Sequence, residues 1–442
     1  MSIRTPEIQS LAPALLGTVI TSFIPFNGPL TSTYLDPNDV GEFACAVSRG
    51  LIASGIAPTA KHFPGHGDTR VDSHLGLPRI LKSLNEIREE ELIPFRSLIA
   101  EGIPTIMTGH MALPKITGSD IPCSLSRDIT TLLRGELGFT GVVVTDCLEM
   151  DAVAESYGVE NGALMALEAG ADIAMICHTP TKQKGAIELV HAALTSGKLT
   201  LDSMRESRGR IAHLKSKFVG NWSDILDPPF DSGRKIQLKS ENIALSESAY
   251  LASTALVVDH THALPISKGD AVILFTPESE SLNRAVDDEE AVPKPRNGGI
   301  RNTAAPSDIF FGSSISARSR NMHHVVYTKD LTVTDELGKH LSTAKYIVFA
   351  TRNADRSAWQ LRALSAIAEV KNADTEVIII STCAPYDLLN ARLEFPFTYL
   401  ATFEFTRPAL ETVTRVIFGE AQPTAKVPVL SGNILLERAC TV

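Results

Sequence analysis

The sequence has no pair of cysteines spaced to clamp a metal or to start a disulfide framework. Its six cysteines, Cys45, Cys123, Cys147, Cys177, Cys383 and Cys440, stand singly with no CxxC pair, so reduced thiols in a cytosol-like compartment are expected. Positive charge is scarce as well. Lys and Arg number 41 against 51 Asp and Glu, a net of −10, and no basic stripe interrupts the deficit, which argues against capture of nucleic acid or an anionic membrane surface. Long apolar runs are missing. The closest is Leu11 to Phe26, but Pro13, Gly17 and Pro25 interrupt it, leaving it too short and broken to span a bilayer or to act as a clean export signal. The expected location is therefore cytoplasmic. Secretion is the alternative, and Asn221-Trp222-Ser223 would then be a glycosylation acceptor. No Gly-rich nucleotide loop follows any expected strand and no internal repeat is visible, so no cofactor is expected.

What is present is enough apolar material for real cores. With 442 residues, 44% of them hydrophobic and 21% charged, the chain predicts two or three globular domains. From Pro37 to Phe218, amphipathic helices alternate with short apolar strands at Ile56–Lys61, Thr105–Gly109, Gly141–Thr145 and Asp172–Cys177, the rhythm of βα units on a parallel sheet. Helical spacing covers Val40–Ala53, Ser83–Glu101, Ser126–Leu137, Gly162–Ala169 and Lys184–Ser196. Each strand ends in polar residues: Lys61-His62, His110, Asp146 and His178. In a (β/α)8 TIM-type barrel such residues share one pocket at the C-terminal ends of the strands. An open doubly wound sheet would use the same pattern, and the absence of a nucleotide loop weakens that alternative.

A polar stretch, residues 220–243, reads as a linker with Asp227-Pro228-Pro229 and Asp231-Ser232-Gly233. Residues 244–442 then read as a smaller α/β layered sandwich, with strands at Ala271–Phe275, His324–Tyr327, Tyr346–Ala350, Val377–Ser381 and Phe397–Ala401 and helices at Arg356–Lys371 and Arg407–Phe418. Thr276 to Arg320 mixes charge, Pro and Gly without periodicity and is expected as a long mobile loop, with the acidic run Asp287–Glu290 as a solvated face.

Two stretches carry chemistry. Lys61 to Pro78 reads KHFPGHGDTRVDSHLGLP, three histidines beside a lysine and two aspartates in a loop too polar to be core, which marks a functional loop. His62, His66, Asp68 and His74 could in principle hold a metal, but their spacing lacks the helical HExxH pattern and no metal is expected. Acid/base work suits the loop better. Asp72 and His74 lie two apart, on one side of an extended chain, so the carboxylate can orient the imidazole. The second stretch, Gly138 to Met150, reads GFTGVVVTDCLEM. It ends a β-branched strand at Asp146, a carboxylate either at a barrel mouth or capping the next helix.

Together these runs resemble the β-N-acetylglucosaminidase branch of glycoside hydrolase family 3. The KHFPGHGDT and DSH run is nearly that branch's signature, and a looser similarity reaches the GEAQPTAKVPV segment at Gly419–Val429. The resemblance implies a retaining glycosidase that releases terminal β-linked N-acetylglucosamine from a small carbohydrate substrate. Asp146 matches the nucleophile, His74 the general acid/base and Asp72 its dyad partner. Lys61 and His62 match residues that hold sugar hydroxyls, and His66, Asp68 and His110 are expected to line the same substrate site. Cys147 takes the place of a residue that is often Asp or Ser, and is expected to pack rather than to react. The alternatives are a catalytically impaired member that binds sugar or serves as a structural subunit and, less favoured, a metal-dependent hydrolase. The sequence departs from the family at its start. Only 60 residues precede Lys61, so the barrel is expected to be incomplete by roughly three of its eight strands. Residues 1–35 form an atypical segment and 36–219 a partial barrel. The edge beside Ile56–Lys61 is then bare or covered by Leu11–Phe26, whose prolines suit an edge and not a central strand.

Overall fold

The computed structural model describes residues 36–67, 76–220, 232–278, 305–355, 357–383, 385–388, 391–425 and 427, together with the backbone of strand Gly17–Ile20. The chain divides into two compact units, the first ending at Leu238 and the second starting at Lys239.

The first unit is a βα repeat. Strand β1 (Gly17–Ile20) precedes helix α1 (Pro37–Ala53), β2 (Pro58–Phe63), α2 (Leu84–Glu89), α3 (Leu92–Ala100) and β3 (Thr105–Thr108). There follow α4 (Arg127–Thr131), which continues as a π-helical turn, β4 (Val142–Cys147), α5 (Asp151–Tyr157), α6 (Val159–Ala169), β5 (Ile173–Met175), α7 (Pro180–Ser196) and α8 (Leu201–Phe218). The sheet runs in sequence order β1-β2-β3-β4-β5 with every pair parallel, the arrangement of a TIM-type barrel wall. Among the described residues β1 and β5 are its edges. Strand β1 pairs in register with β2 from Gly17↔Pro58 to Ile20↔Lys61. It falls between Pro13 and Pro25, so the part of Leu11–Phe26 free of proline is the part that covers the edge.

Local chemistry explains where these elements start and break. Asp36 accepts the Asn38 N–H at 2.8 Å and Pro37 opens α1, the combination that satisfies a free amide and presets φ. Ser83–Glu101, expected as one helix, is two. It breaks at Glu90–Glu91 because the Glu91 side chain turns inward, with the residue only 3% exposed, to pair with Lys82. That turn also explains Gly65: a Cβ there would lie 2.5 Å from Glu91 Cβ and Cγ, and its φ is +132°. The unit's core joins Phe63, Phe95, Ile106, Val143 and Leu133; Phe63 and Phe95 meet edge to face at 5.1 Å.

The second unit is a layered α/β sandwich. Its first strand, β6 (Ala255–Asp259), follows α9 (Ser232–Ser253), the helix that contains the boundary between the units. Then come β7 (Val272–Pro277), α10 (Pro306–Ser316), β8 (Met322–Tyr327), α11 (Asp335–Thr343), β9 (Tyr346–Thr351), α12 (Trp359–Val370), β10 (Glu376–Ser381), β11 (Thr398–Ala401) and α13 (Arg407–Ile417). The sheet order is β6-β11-β10-β9-β7-β8, parallel except for β6 against β11. Strict alternation feeds two cores. Ile273, Phe275, Ile347, Phe349, Val377 and Ile379 pack with Leu341 and Leu364. Their neighbours Val272, Leu274, Val348, Ile378 and Ile380 pack on the other side with Phe311, Leu410 and Val413. A strand buried on both faces reads as an unbroken apolar run, which is how β7, β9 and β10 read.

Two expectations need correction here. Residues 232–243, expected as linker, are the start of α9; no Gly or Pro falls between Arg234 and Ser253, so nothing stops a helix once the Pro and Gly of the preceding segment are passed. The loop expected over Thr276–Arg320 is interrupted by α10, whose Phe311 and Ile315 are fully buried; its serines masked the apolar spacing. Asp287–Glu290 lies outside the described residues. Strand β6 was not anticipated, because only tertiary pairing with β11 selects it.

Candidate active site

Strand β4 ends at Cys147, which brings Asp146 to the C-terminal end of the parallel sheet. Its side chain is 18% exposed, and Oδ2 lies 3.2 Å from His62 Nε2. Oδ1 accepts the N–H of Cys147 at 2.8 Å. The helix-cap alternative is thereby removed: the N-cap of α5 is Met150, and the Asp146 carboxylate turns to His62 at the end of β2. Burial by itself would raise the Asp146 pKa; the His62 hydrogen bond and charge and the Cys147 amide outweigh it and hold the carboxyl well below the ordinary range. Asp146 is therefore an anion across the working pH range, the form a carboxylate nucleophile needs.

Lys61 and His62 lie in the last half of β2, just before Phe63 ends it, and His66 follows the turn, its ring meeting that of His62 edge on at 6.0 Å. Gly109 leaves room for this arrangement. A Cβ there would stand 2.8 Å from His62 Cβ and 2.6 Å from Met111 Cε, so any larger residue after β3 would push His62 off Asp146. Asp68, Asp72 and His74 lie outside the described residues.

His110 departs from expectation. It is fully buried, and both ring nitrogens are engaged: Nε2 lies 2.9 Å from the Cys147 carbonyl and Nδ1 2.7 Å from Ser124 Oγ. A carbonyl only accepts, so Nε2 carries the proton and Nδ1 accepts from the serine hydroxyl. Burial lowers its pKa, with Asp146 and the Cys147 carbonyl opposing, so the ring is neutral. It has no nitrogen left for a sugar hydroxyl; instead it fixes the backbone that carries Asp146.

Ser124 and Glu149 carry no signal in the sequence that marks them for the site. Glu149 accepts the backbone N–H groups of Cys177, His178 and Thr179 at 2.8, 2.7 and 2.9 Å, tying the segment after β5 to the end of β4. The only hint is its place three residues past Asp146. Cys147 is buried as expected, and burial, with Cys177 beside it, pushes its thiol up to about 12; it is no second nucleophile.

A parallel βα sheet with an ionised carboxylate and two imidazoles gathered at its C-terminal end fits the (β/α)-barrel class, whose functional pockets lie at that end. Residues 31–214 match the model of the glycosyl hydrolase family 3 N-terminal domain. Over that span the chain is similar to glycosyl hydrolase family 3. It is 36% identical over 192 residues to the β-hexosaminidase LpqI of Mycobacterium bovis, an alignment covering 42% of this chain and 48% of that protein. A solved fungal multi-domain family 3 β-N-acetylglucosaminidase is similar over 96% of this chain and 47% of its own, at 30% identity and a TM-score of 0.79. A family 3 β-N-acetylglucosaminidase from Paenibacillus sp. str. FPU-7 is similar over 96% of this chain and 77% of its own, at 28% identity and a TM-score of 0.75. The chain spans about a third to a half of the length of the curated relatives it matches. No described helix is long and apolar enough to cross a membrane.

Proposed function

We propose that the chain is a retaining glycosidase that releases terminal β-linked N-acetylglucosamine. The observation that carries this reading is the ionised Asp146, aimed from the end of β4 and held by His62 and the Cys147 amide. The names of its relatives and structural neighbours, β-hexosaminidase and β-N-acetylglucosaminidase, support the aminosugar.

In the proposed mechanism Asp146 attacks the anomeric carbon while His74, oriented by Asp72, protonates the departing glycosidic oxygen. The covalent glycosyl-enzyme is then opened by water, with His74 accepting its proton. Lys61, His66 and Asp68 hold the sugar hydroxyls, and His62 divides its role between sugar and nucleophile. A reducing, cytosol-like setting suits a sequence whose cysteines stand singly with no CxxC pair.

The test is a slow fluorinated N-acetylglucosaminyl substrate followed by peptide mapping. A glycosyl adduct on the Asp146 peptide is expected. Hydrolysis of an aryl N-acetyl-β-glucosaminide with the adduct on another residue would overturn the assignment. A second reading, a sugar-binding member without turnover, is favoured by the five-stranded sheet with two edges among the described residues; sugar binding with neither adduct nor hydrolysis would establish it.

A further inference from the structure

Cys147 at the end of β4 and Cys177 and His178 just past β5 bring one ligand atom each to within 4.8 Å of one another. We propose that this trio binds a divalent cation of the thiophilic class, Zn(II) or Cd(II), beside the nucleophile. Two sulfurs and an imidazole are the donor set that such ions prefer over the oxygen-seeking Mg(II) and Ca(II), and two thiolates balance the double positive charge.

The geometry is close to what the ion needs. A tetrahedral zinc with sulfur at about 2.3 Å and nitrogen at about 2.0 Å sets its ligand atoms roughly 3.5–3.8 Å apart, so closure asks for about 1 Å of movement. Cys177 and His178 are exposed and can supply it by rotation, while Cys147 is buried and fixed. The frame is already tied. Cys147 is in register with Met175, and the Glu149 carboxylate accepts three successive amides at 177–179 while standing 3.6 Å from Cys147 Sγ. Glu149 thus orients the Cys177 and His178 half of the site through their backbone amides, as outer groups of metal sites do. With three protein ligands the fourth position is open to water. The Cys147 amide donates to Asp146 Oδ1, so an occupied site adjoins the catalytic carboxylate through one backbone unit.

The experiment titrates the intact chain with Cd(II) and follows the ultraviolet thiolate-to-cadmium charge-transfer band. One equivalent should saturate it, and Mg(II) should produce nothing. Cys177→Ser should remove about half of the band, one of two sulfur ligands; Glu149→Gln should weaken binding about 10- to 100-fold; Cys383→Ser should leave both unchanged. His178→Ala should weaken binding without changing the band per bound ion. Cys177 and His178 are exposed, so these variants keep the fold, which a thermal melt checks. Absence of the band at one equivalent, or a band indifferent to Cys177→Ser, overturns the proposal. The readout is absorbance, so it stands whether or not the chain hydrolyses a glycoside.

Discussion

Asp146 and Asp172 sit at opposite ends of two neighbouring strands, and their surroundings could hardly differ more. Asp172, just ahead of β5, has a fully buried side chain. Its Oδ2 accepts from Arg134 and from the Val143 amide, both at 2.8 Å, and its Oδ1 from Ser207 at 2.7 Å and Arg210 at 2.9 Å. Every lone-pair direction is used, and the result is a staple that binds α8 and the end of α4 to the base of the sheet. Asp146 has one amide, one imidazole 3.2 Å away and an opening to solvent. The same residue type is fully bonded ahead of β5 and left partly open at the C-terminal end of β4. The difference teaches what the proposed reactivity draws on, an unfinished shell: a carboxylate kept ionised but left with directions open for a substrate.

The sharpest test of this contrast is Asp146→Asn, which should lower kcat by on the order of 10⁴-fold or more with little change in melting temperature. A comparable loss of stability would place Asp146 with Asp172. Next in size is Asp172→Ala, expected to cost about 3 kcal/mol in a denaturant titration, because it leaves Arg134 and Arg210 without their partner in a largely buried place. Both arginines keep some access to water, which holds the cost to the low end.

His62→Gln should reduce kcat/KM by roughly 10²-fold and move its acid limb to higher pH. The sign follows from the shift: the Asp146 pKa is depressed in the fold, so its stabilisation is complete above the unfolded value of about 4 and is lost as pH falls through the lower folded value. Removing the imidazole takes away the largest cause of that depression, so protonation of Asp146 sets in at higher pH. An unmoved acid limb would show that His62 does not hold the carboxylate. Smallest is Gly109→Ala, where the added methyl meets His62 and Met111. We expect about 1–2 kcal/mol of destabilisation and a KM or kcat defect in the same direction as His62→Gln; a silent substitution would mean that His62 has room to spare.

Much of this contrast is legible in the order of residues alone. The strands β4, β7, β9 and β10 stand out as apolar runs, since strands buried on both faces need no alternation to be seen. Asp146 is visible as the residue that ends such a run, and Lys61, His62 and His66 as polar residues in a loop that cannot be core. The role of His110 is not visible. Its position after β3 suggests a substrate contact, and only the approach of Ser124 and the Cys147 carbonyl converts it into a buried brace. Helices α9 and α10 are hidden by the Pro- and Gly-bearing stretches that precede them.

The sequence by itself determined the βα rhythm, the layered second unit and the type of residue at each strand end, because periodicity and side-chain chemistry are local properties. Which of those residues act together was decided by parallel pairing, which sets Cys147 beside Met175 and brings β2 and β4 to either side of β3. His62 and Asp146, far apart along the chain, meet only through that register. A carboxylate's pKa, openness and hydrogen-bond count depend on groups delivered from other strands, so tertiary structure alone separates the open, ionised Asp146 from the fully bonded Asp172.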